Sequence, residues 1–225
     1  MALGPFYVAQ RLKESSHGTV LLMRHGETAW NREGRVMGRN PVELSPSGRA
    51  QVAAAAHWLG DAGIGLIATS PLVRARQSAG IAAALLGNPP IIEDERLSEI
   101  LYGRWEGMSF NALLEDELYR KYKDNPDTMA TPGGETIAAA QMRGVAAVNE
   151  LMAANRGARV LFVSHGDIIR TVICHFMRLE LAHFRRLRID NASLSTIEVA
   201  ERFAEVKFIN SMPDPARAFI SPFRA

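Results

Sequence analysis

The sequence predicts an α/β fold three layers deep, with helices on both faces of a mostly parallel central sheet. Three observations carry that expectation. Short apolar runs alternate with helical patterns along most of the 225 residues, the rhythm of βαβ units joined by right-handed crossovers. Two of these runs end alike, in Leu21-Leu22-Met23-Arg24-His25-Gly26-Glu27 and in Leu161-Phe162-Val163-Ser164-His165-Gly166-Asp167; strands this apolar are buried on both faces. Late in the chain, apolar and polar residues alternate over 193–199 and 203–209, the period of an antiparallel edge hairpin.

Taken in order, residues 1–18 have mixed composition and read as an arm or a short surface helix ahead of a strand over 19–23. A loop follows over 28–40. Ser45-Pro46 then announces a helix, serine as N-cap and proline in its first turn, running to Gly60. A strand over 65–69 leads to Ser70-Pro71, read as a second helix start; Leu72, Ala75, Ala79, Ala82 and Leu86 recur at helical spacing until Gly87-Asn88-Pro89-Pro90. Ile91-Ile92 suggests a short strand. The middle is less regular: a strongly charged helix over 111–122 sits in a segment, 109–132, expected to cap the sheet edge. A turn at 131–134, a long helix over 135–155, the second histidine strand and a helix over 167–177 precede the hairpin. The tail from Met212 carries three prolines and reads as extended. Nothing divides the chain, so a single domain is expected.

Apolar residues make up 47% and charged residues 22%, ordinary for a globular enzyme. A formal net charge of +2 gives no reason to expect a nucleic-acid partner. The single cysteine, Cys174, cannot form an intramolecular disulfide and reads as a buried thiol. No apolar stretch approaches the roughly 20 residues that span a bilayer, so no membrane partner is expected. No secretory signal is recognisable at the N-terminus, which points to the cytoplasm and makes the sequon Asn191-Ala192-Ser193 accidental.

The two histidine strands should place His25 and His165 at one edge of the sheet, the carboxyl end of its parallel strands, where open α/β sheets bind ligands. Arginines nearby suit phosphate, whose oxygens match a planar guanidinium fork. Arg24 adjoins His25. Arg74 falls in the first turn after Ser70-Pro71, where backbone amides add positive potential. A neutral imidazole is a competent nucleophile with an ordinary pKa of about 6.5.

Four blocks then occur in sequence: Arg24-His25-Gly26-Glu27-Thr28; residues 70–79, Ser70-Pro71-Leu72-Val73-Arg74-Ala75-Arg76-Gln77-Ser78-Ala79; Leu97-Ser98-Glu99 with Tyr102-Gly103-Arg104-Trp105-Glu106-Gly107; and Ser164-His165-Gly166. Together they resemble the histidine phosphatase superfamily, which includes cofactor-dependent phosphoglycerate mutase, fructose-2,6-bisphosphatase and α-ribazole phosphatase. The resemblance runs from about Val20 to Val199. It implies a phosphohistidine at His25, Glu99 as proton donor, and catalytic assignments for Arg24, Arg74 and His165. Arg24, Thr28, Asn31, Arg74, His165 and Gly166 are the expected phosphate ligands. No metal and no cofactor are expected, and the substrate is a small phosphate ester.

Several residues have plainer readings. Glu106 rivals Glu99 but belongs to a turn, Glu135 suits a helix N-terminus, and Tyr102 is as suited to packing as to substrate contact. Arg170 would widen the cationic pocket or pair with Asp167. Arg76 and the cluster Arg185-Arg186-Leu187-Arg188 read as solvated charge, and His57, His175 and His183 lack metal-ligand spacing. Between activities, hydrolysis is favoured over mutase chemistry. Mutases of the resembling family carry a long basic insertion after the Tyr-Gly block, whereas residues 110–127 are compact and include Glu115-Asp116-Glu117. A phosphate-binding protein without turnover is the third reading. An exposed strand edge near 193–199 would permit a homodimer.

Overall fold

The computed structural model describes residues 16–60, 62–201 and 203–212; the expectations for the arm before Ser16 and the tail after Met212 lie outside them. Six strands form one sheet: β1 (Ser16–Arg24), β2 (Ile64–Thr69), β3 (Ile91–Glu93), β4 (Arg159–Ser164), β5 (Leu194–Ala200) and β6 (Phe203–Ser211). Their order is β3-β2-β4-β1-β5-β6. The first four strands in the chain run parallel, and β5 and β6 complete the sheet antiparallel. The main helices are α1 (Ala29–Arg32), α2 (Pro46–Leu59), α3 (Val73–Leu85), α4 (Phe110–Glu115), α5 (Glu117–Asp124), α6 (Ile137–Ala154) and α7 (Gly166–Met177).

Alternation along the central strands explains the three layers. Val20, Leu22, Val160 and Phe162 face a core shared with Ala140, Val148, Ile169 and Val172 of α6 and α7. Leu21, Met23, Leu161 and Val163 point the other way, to Val52, Ala55, Ala75 and Ala79 of α2 and α3. Both faces are therefore dry, which is why these strands read as unbroken apolar runs rather than as alternating ones. The alanine-rich inner faces of α2 and α3 let the helices approach closely. Burying each large side chain such as Phe162 contributes about 1.5–3 kcal/mol.

The site edge depends on backbone contacts that only glycine permits. A Cβ on Gly48 would lie 2.0 Å from the Glu27 carbonyl oxygen, and one on Gly26 would lie 2.3 Å from that of Gly48. The loop after β1 thus rests directly on the first turn of α2. Ser45 caps that helix as expected, its hydroxyl accepting from the Gly48 amide at 3.0 Å.

Five local expectations need correction. The loop over 28–40 contains α1, closed by a reciprocal cap between Thr28 and Asn31. The arm's last residues, from Ser16, already belong to β1. The charged helix over 111–122 is two helices, broken at Asp116, whose side chain accepts from the Tyr119 amide and starts α5. Ser70 does not cap α3, which begins at Val73 behind Leu72; its hydroxyl lies instead 2.8 Å from His165 Nε2. The strand over 193–199 is not an edge either, since β5 lies between β1 and β6. Cys174 is buried, and among the described residues no helix is long and apolar enough to cross a membrane.

Gly48→Ala tests the close approach. It should destabilise the protein by about 1–3 kcal/mol, the range for an overpacked interior, read as a lower urea midpoint. An unchanged midpoint would mean that the loop and helix separate freely.

Candidate active site

The parallel register of β1 and β4 sets Arg24 opposite Ser164, so the next residue on each strand is a histidine. The His25 amide donates to the Ser164 carbonyl at 3.0 Å, and the two imidazole rings lie 5.2 Å apart between centroids. Both are fully buried. His25 Nδ1 lies 2.7 Å from the Gly26 carbonyl oxygen. A carbonyl only accepts, so Nδ1 carries the proton and Nε2 keeps a lone pair.

Arg74 meets that lone pair, Nε donating to His25 Nε2 at 3.3 Å. Its other nitrogens donate to the carbonyls of Gly38 at 2.7 Å and Asn40 at 3.0 Å. Among the described residues Arg74 has no carboxylate ion-pair partner, and burial first of all lowers its pKa to about 10, still charged at neutral pH. Glu106, the rival acid, is occupied by the Tyr102 amide at 3.0 Å and by Asn40 Nδ2 at 2.9 Å. It packs against Gly38, where a Cβ would fall 2.1 Å from its oxygen. It therefore braces the loop whose carbonyls hold Arg74.

A cavity of about 470 Å³ opens at this edge, walled by Arg24, Asn31, Glu99, Gly166, Asp167 and Arg170 on its polar side. Arg24 donates to the Ile189 carbonyl at 2.8 Å, and its buried Nε has no hydrogen-bond partner among the described residues. Asn31 accepts through Oδ1 from Thr28 and Asn191, so its amide protons face the task of donating. Gly166 opens α7, where first-turn amides favour an anion. His165 Nδ1 is buried without a hydrogen-bond partner among the described residues. The Thr28 hydroxyl serves the α1 cap and lies 3.2 Å from Met37 Sδ; like His25, Arg74 and His165 it is buried behind the residues that line the cavity.

Glu99 enters the same wall, one oxygen accepting from the Ile100 amide at 2.9 Å. Burial, reinforced by the Asp167 charge, outweighs Arg74 and Arg24 and pushes it up to about 7. Asp167 stays ionised because the Arg170 guanidinium pairs with it and the Tyr102 hydroxyl donates to it. Arg170 thus both lines the cavity and pairs, and Tyr102 touches the cavity rather than only packing. Glu135 is structural as well: with Arg143, paired at 2.7 Å, it ties down the Glu99 loop through Ser98, Glu99 and Leu101. Arg76 is half exposed, as read.

The other wall comes mainly from the segment 109–132 expected over the sheet edge and from the loop 28–40, with Arg185 the residue not foreseen there. Val36, Met37, Phe110, Leu113 and Tyr119 line it, with Arg185. Arg185 does not belong to a solvated face; it lies over the rings of Tyr119 and Tyr122. Arg35 and Asn191 also reach the cavity. Their only sequence signal is proximity in the fold.

A family model described as "histidine phosphatase superfamily (branch 1)" matches residues 20–212. The chain belongs to the histidine phosphatase superfamily. Phosphoserine phosphatase 1 of Hydrogenobacter thermophilus is 31% identical over 185 residues, 81% of this chain and 87% of that one. A probable phosphoglycerate mutase of an Enterobacter strain is 33% identical over 81% of this chain and 85% of its own. Among solved structures, a phosphoserine phosphatase of Entamoeba histolytica, in complex with 3-phosphoglyceric acid, superposes with a TM-score of 0.79 at 28% identity. That match covers 87% of this chain and 98% of the other. Membership and neighbours together support phosphatase activity.

Both histidines are held neutral. Burial lowers each well below 6.5, and the Arg74 charge adds to it. The unfolded chain binds protons on these rings below about pH 6.5, so stability falls as pH drops through that value. Glu99 acts oppositely between 4.5 and about 7: the folded state keeps a proton that the unfolded state releases. Two groups oppose one, so Tm should fall from pH 6.5 to 5. Glu99→Gln should steepen the fall, and the double variant His25→Asn, His165→Asn should reverse it. A Tm that rises on acidification in the unaltered protein would contradict these assignments.

Proposed function

We propose that the protein is a metal-independent phosphomonoester hydrolase that works through a phosphohistidine at His25 on a small phosphorylated metabolite. The observation that carries this is the Nε2 lone pair of His25, fixed by the Gly26 carbonyl on one side of the ring and met by Arg74 on the other. Arg24, Arg74, His165, Asn31 and the Gly166 amide hold the phosphoryl group. A phosphoryl in transfer carries negative charge on its equatorial oxygens, and guanidinium groups supply the matching positive charge.

In the first step His25 Nε2 bonds to phosphorus while the bond from phosphorus to the ester oxygen breaks. The departing oxygen takes the proton of Glu99, an acid still substantially protonated near neutrality because its pKa stands at about 7. The ring becomes cationic, and its Nδ1–H bond to Gly26 strengthens. In the second step Glu99, now a carboxylate, takes a proton from water as the water oxygen bonds to phosphorus. The phosphorus–nitrogen bond breaks, inorganic phosphate leaves, and His25 returns neutral. Glu106 and Thr28 take no part, since their polar atoms are committed to the framework.

Hydrolysis of 4-nitrophenyl phosphate in the presence of EDTA is the test. Activity should survive chelation and fall by about 10⁴-fold or more in His25→Ala. Loss of activity on chelation would overturn metal independence, and a His25→Ala variant that keeps its rate would remove the nucleophile. Glu99→Gln should cost roughly 10²–10⁴-fold on alkyl phosphates, the range for a general acid. The same change should cost far less on nitrophenyl phosphate, whose phenoxide leaves without a proton. Equal losses on both esters would assign Glu99 another role. The likeness to a probable mutase motivates one further assay, interconversion of phosphoglycerates with a bisphosphate primer, expected to be negligible beside hydrolysis.

A further inference from the structure

Among the cations of the cavity, Arg185 is the one whose charge the mechanism leaves unused. Arg24 and Arg74 serve the phosphoryl group. Arg170 is paired with Asp167, and Arg35 with Glu33 at 3.1 Å. No carboxylate among the described residues forms an ion pair with Arg185, although it lines the cavity. It rises from the short 3₁₀ turn Leu181–Arg186 behind α7. Its guanidinium carbon stands 5.1 Å from the Tyr122 ring centre, 5.4 Å from Phe184 and 5.7 Å from Tyr119.

Aromatic faces attract a guanidinium and leave N–H groups at its edge able to donate; with one hydrogen bond toward Tyr122, Arg185 keeps further donors from its fork. A half-buried cation with free donors favours an anionic partner. Its place in the cavity says which part of a substrate meets it. Arg185 lines the same cavity as Glu99, seated on Tyr119 among the apolar lining that includes Phe110 and Leu113. Arg24, Asn31 and Gly166 are committed to the phosphoryl group, so the alcohol part of the ester is what remains to meet Arg185. A planar two-nitrogen edge matches a carboxylate in bidentate fashion.

We propose that Arg185, seated on Tyr119 and Tyr122, is a second anion subsite that receives a carboxylate on the leaving alcohol, so that carboxylated phosphomonoesters are the preferred substrate class. The inference rests on the phosphatase reading above. Phe110 and Leu113 beside it offer apolar surface to the carbon skeleton between the two charges. A monoester without the carboxylate leaves Arg185 unmatched and binds more weakly.

Two pairs of esters that differ only in the carboxylate provide the test: phosphoserine against phosphoethanolamine, and 4-carboxyphenyl phosphate against phenyl phosphate. In at least one pair the unaltered protein should favour the carboxylated ester by tenfold or more in kcat/KM, chiefly through KM. Arg185→Met should bring that ratio to within about threefold of unity, and Arg185→Lys, which keeps the charge and loses the fork, should leave an intermediate ratio. Arg186→Met, a change at the exposed neighbour, should leave the ratio as it was. Because each ratio is taken within one variant, a partly folded preparation does not distort it. Turnover of phenyl phosphate with no carboxylate preference in either pair overturns the subsite alone, as does a preference that Arg185→Met leaves intact. Absence of turnover on all four esters overturns the phosphatase reading and the subsite with it.

Discussion

The arrangement depends on one pairing of backbones, the parallel register of β1 with β4. It sets Arg24 opposite Ser164, and two histidine rings follow at 5.2 Å. A slip by one residue would turn every side chain of a strand to the opposite face. Leu22 and Phe162 would then leave the α6–α7 core for the α2–α3 side, so the hydrophobic layers that fix the register also fix the catalytic spacing. Packing and chemistry are in this sense one constraint.

Around that pairing Arg24 and Arg74 stand without a carboxylate ion pair among the described residues, while Arg170 is matched by Asp167. Arg74 is fully buried and answered only by two backbone carbonyls and an imidazole nitrogen. Arg24 retains a buried nitrogen with no hydrogen-bond partner among the described residues. Such groups are costly to bury without anions, and the cost is offset by the two apolar cores behind them. Burial, with the Arg74 and Arg24 charges adding to it, keeps His25 neutral, and burial with the Asp167 charge, against those arginines, keeps Glu99 substantially protonated near neutrality. Nucleophile and acid are poised in opposite senses by one electrostatic environment, a pattern found where acid and base roles are divided between neighbouring groups.

Much of this was legible in the chain. Unbroken apolar runs announced strands buried on both faces, and the repeated His-Gly ending announced the sheet edge. Ser45-Pro46 announced α2 correctly because a local cap decides a helix start. Ser70-Pro71 misled for an instructive reason: the Ser70 hydroxyl lies against His165, and a contact 95 residues away overrides the local signal. The Thr28 hydroxyl likewise serves the α1 cap. Arg185 was illegible because a run of cations reads as solvated surface. Only the fold lays Tyr119 and Tyr122 beneath one of them.

The central claim is covalent transfer of phosphorus to one nitrogen. Rapid quenching of the protein with a ³²P-labelled phosphomonoester, followed by peptide mapping, tests it most directly. The account predicts an acid-labile, alkali-stable label on the peptide that contains His25, formed and discharged at rates matching turnover. Turnover with no labelled protein at any quench time, or a label on another residue, would contradict it.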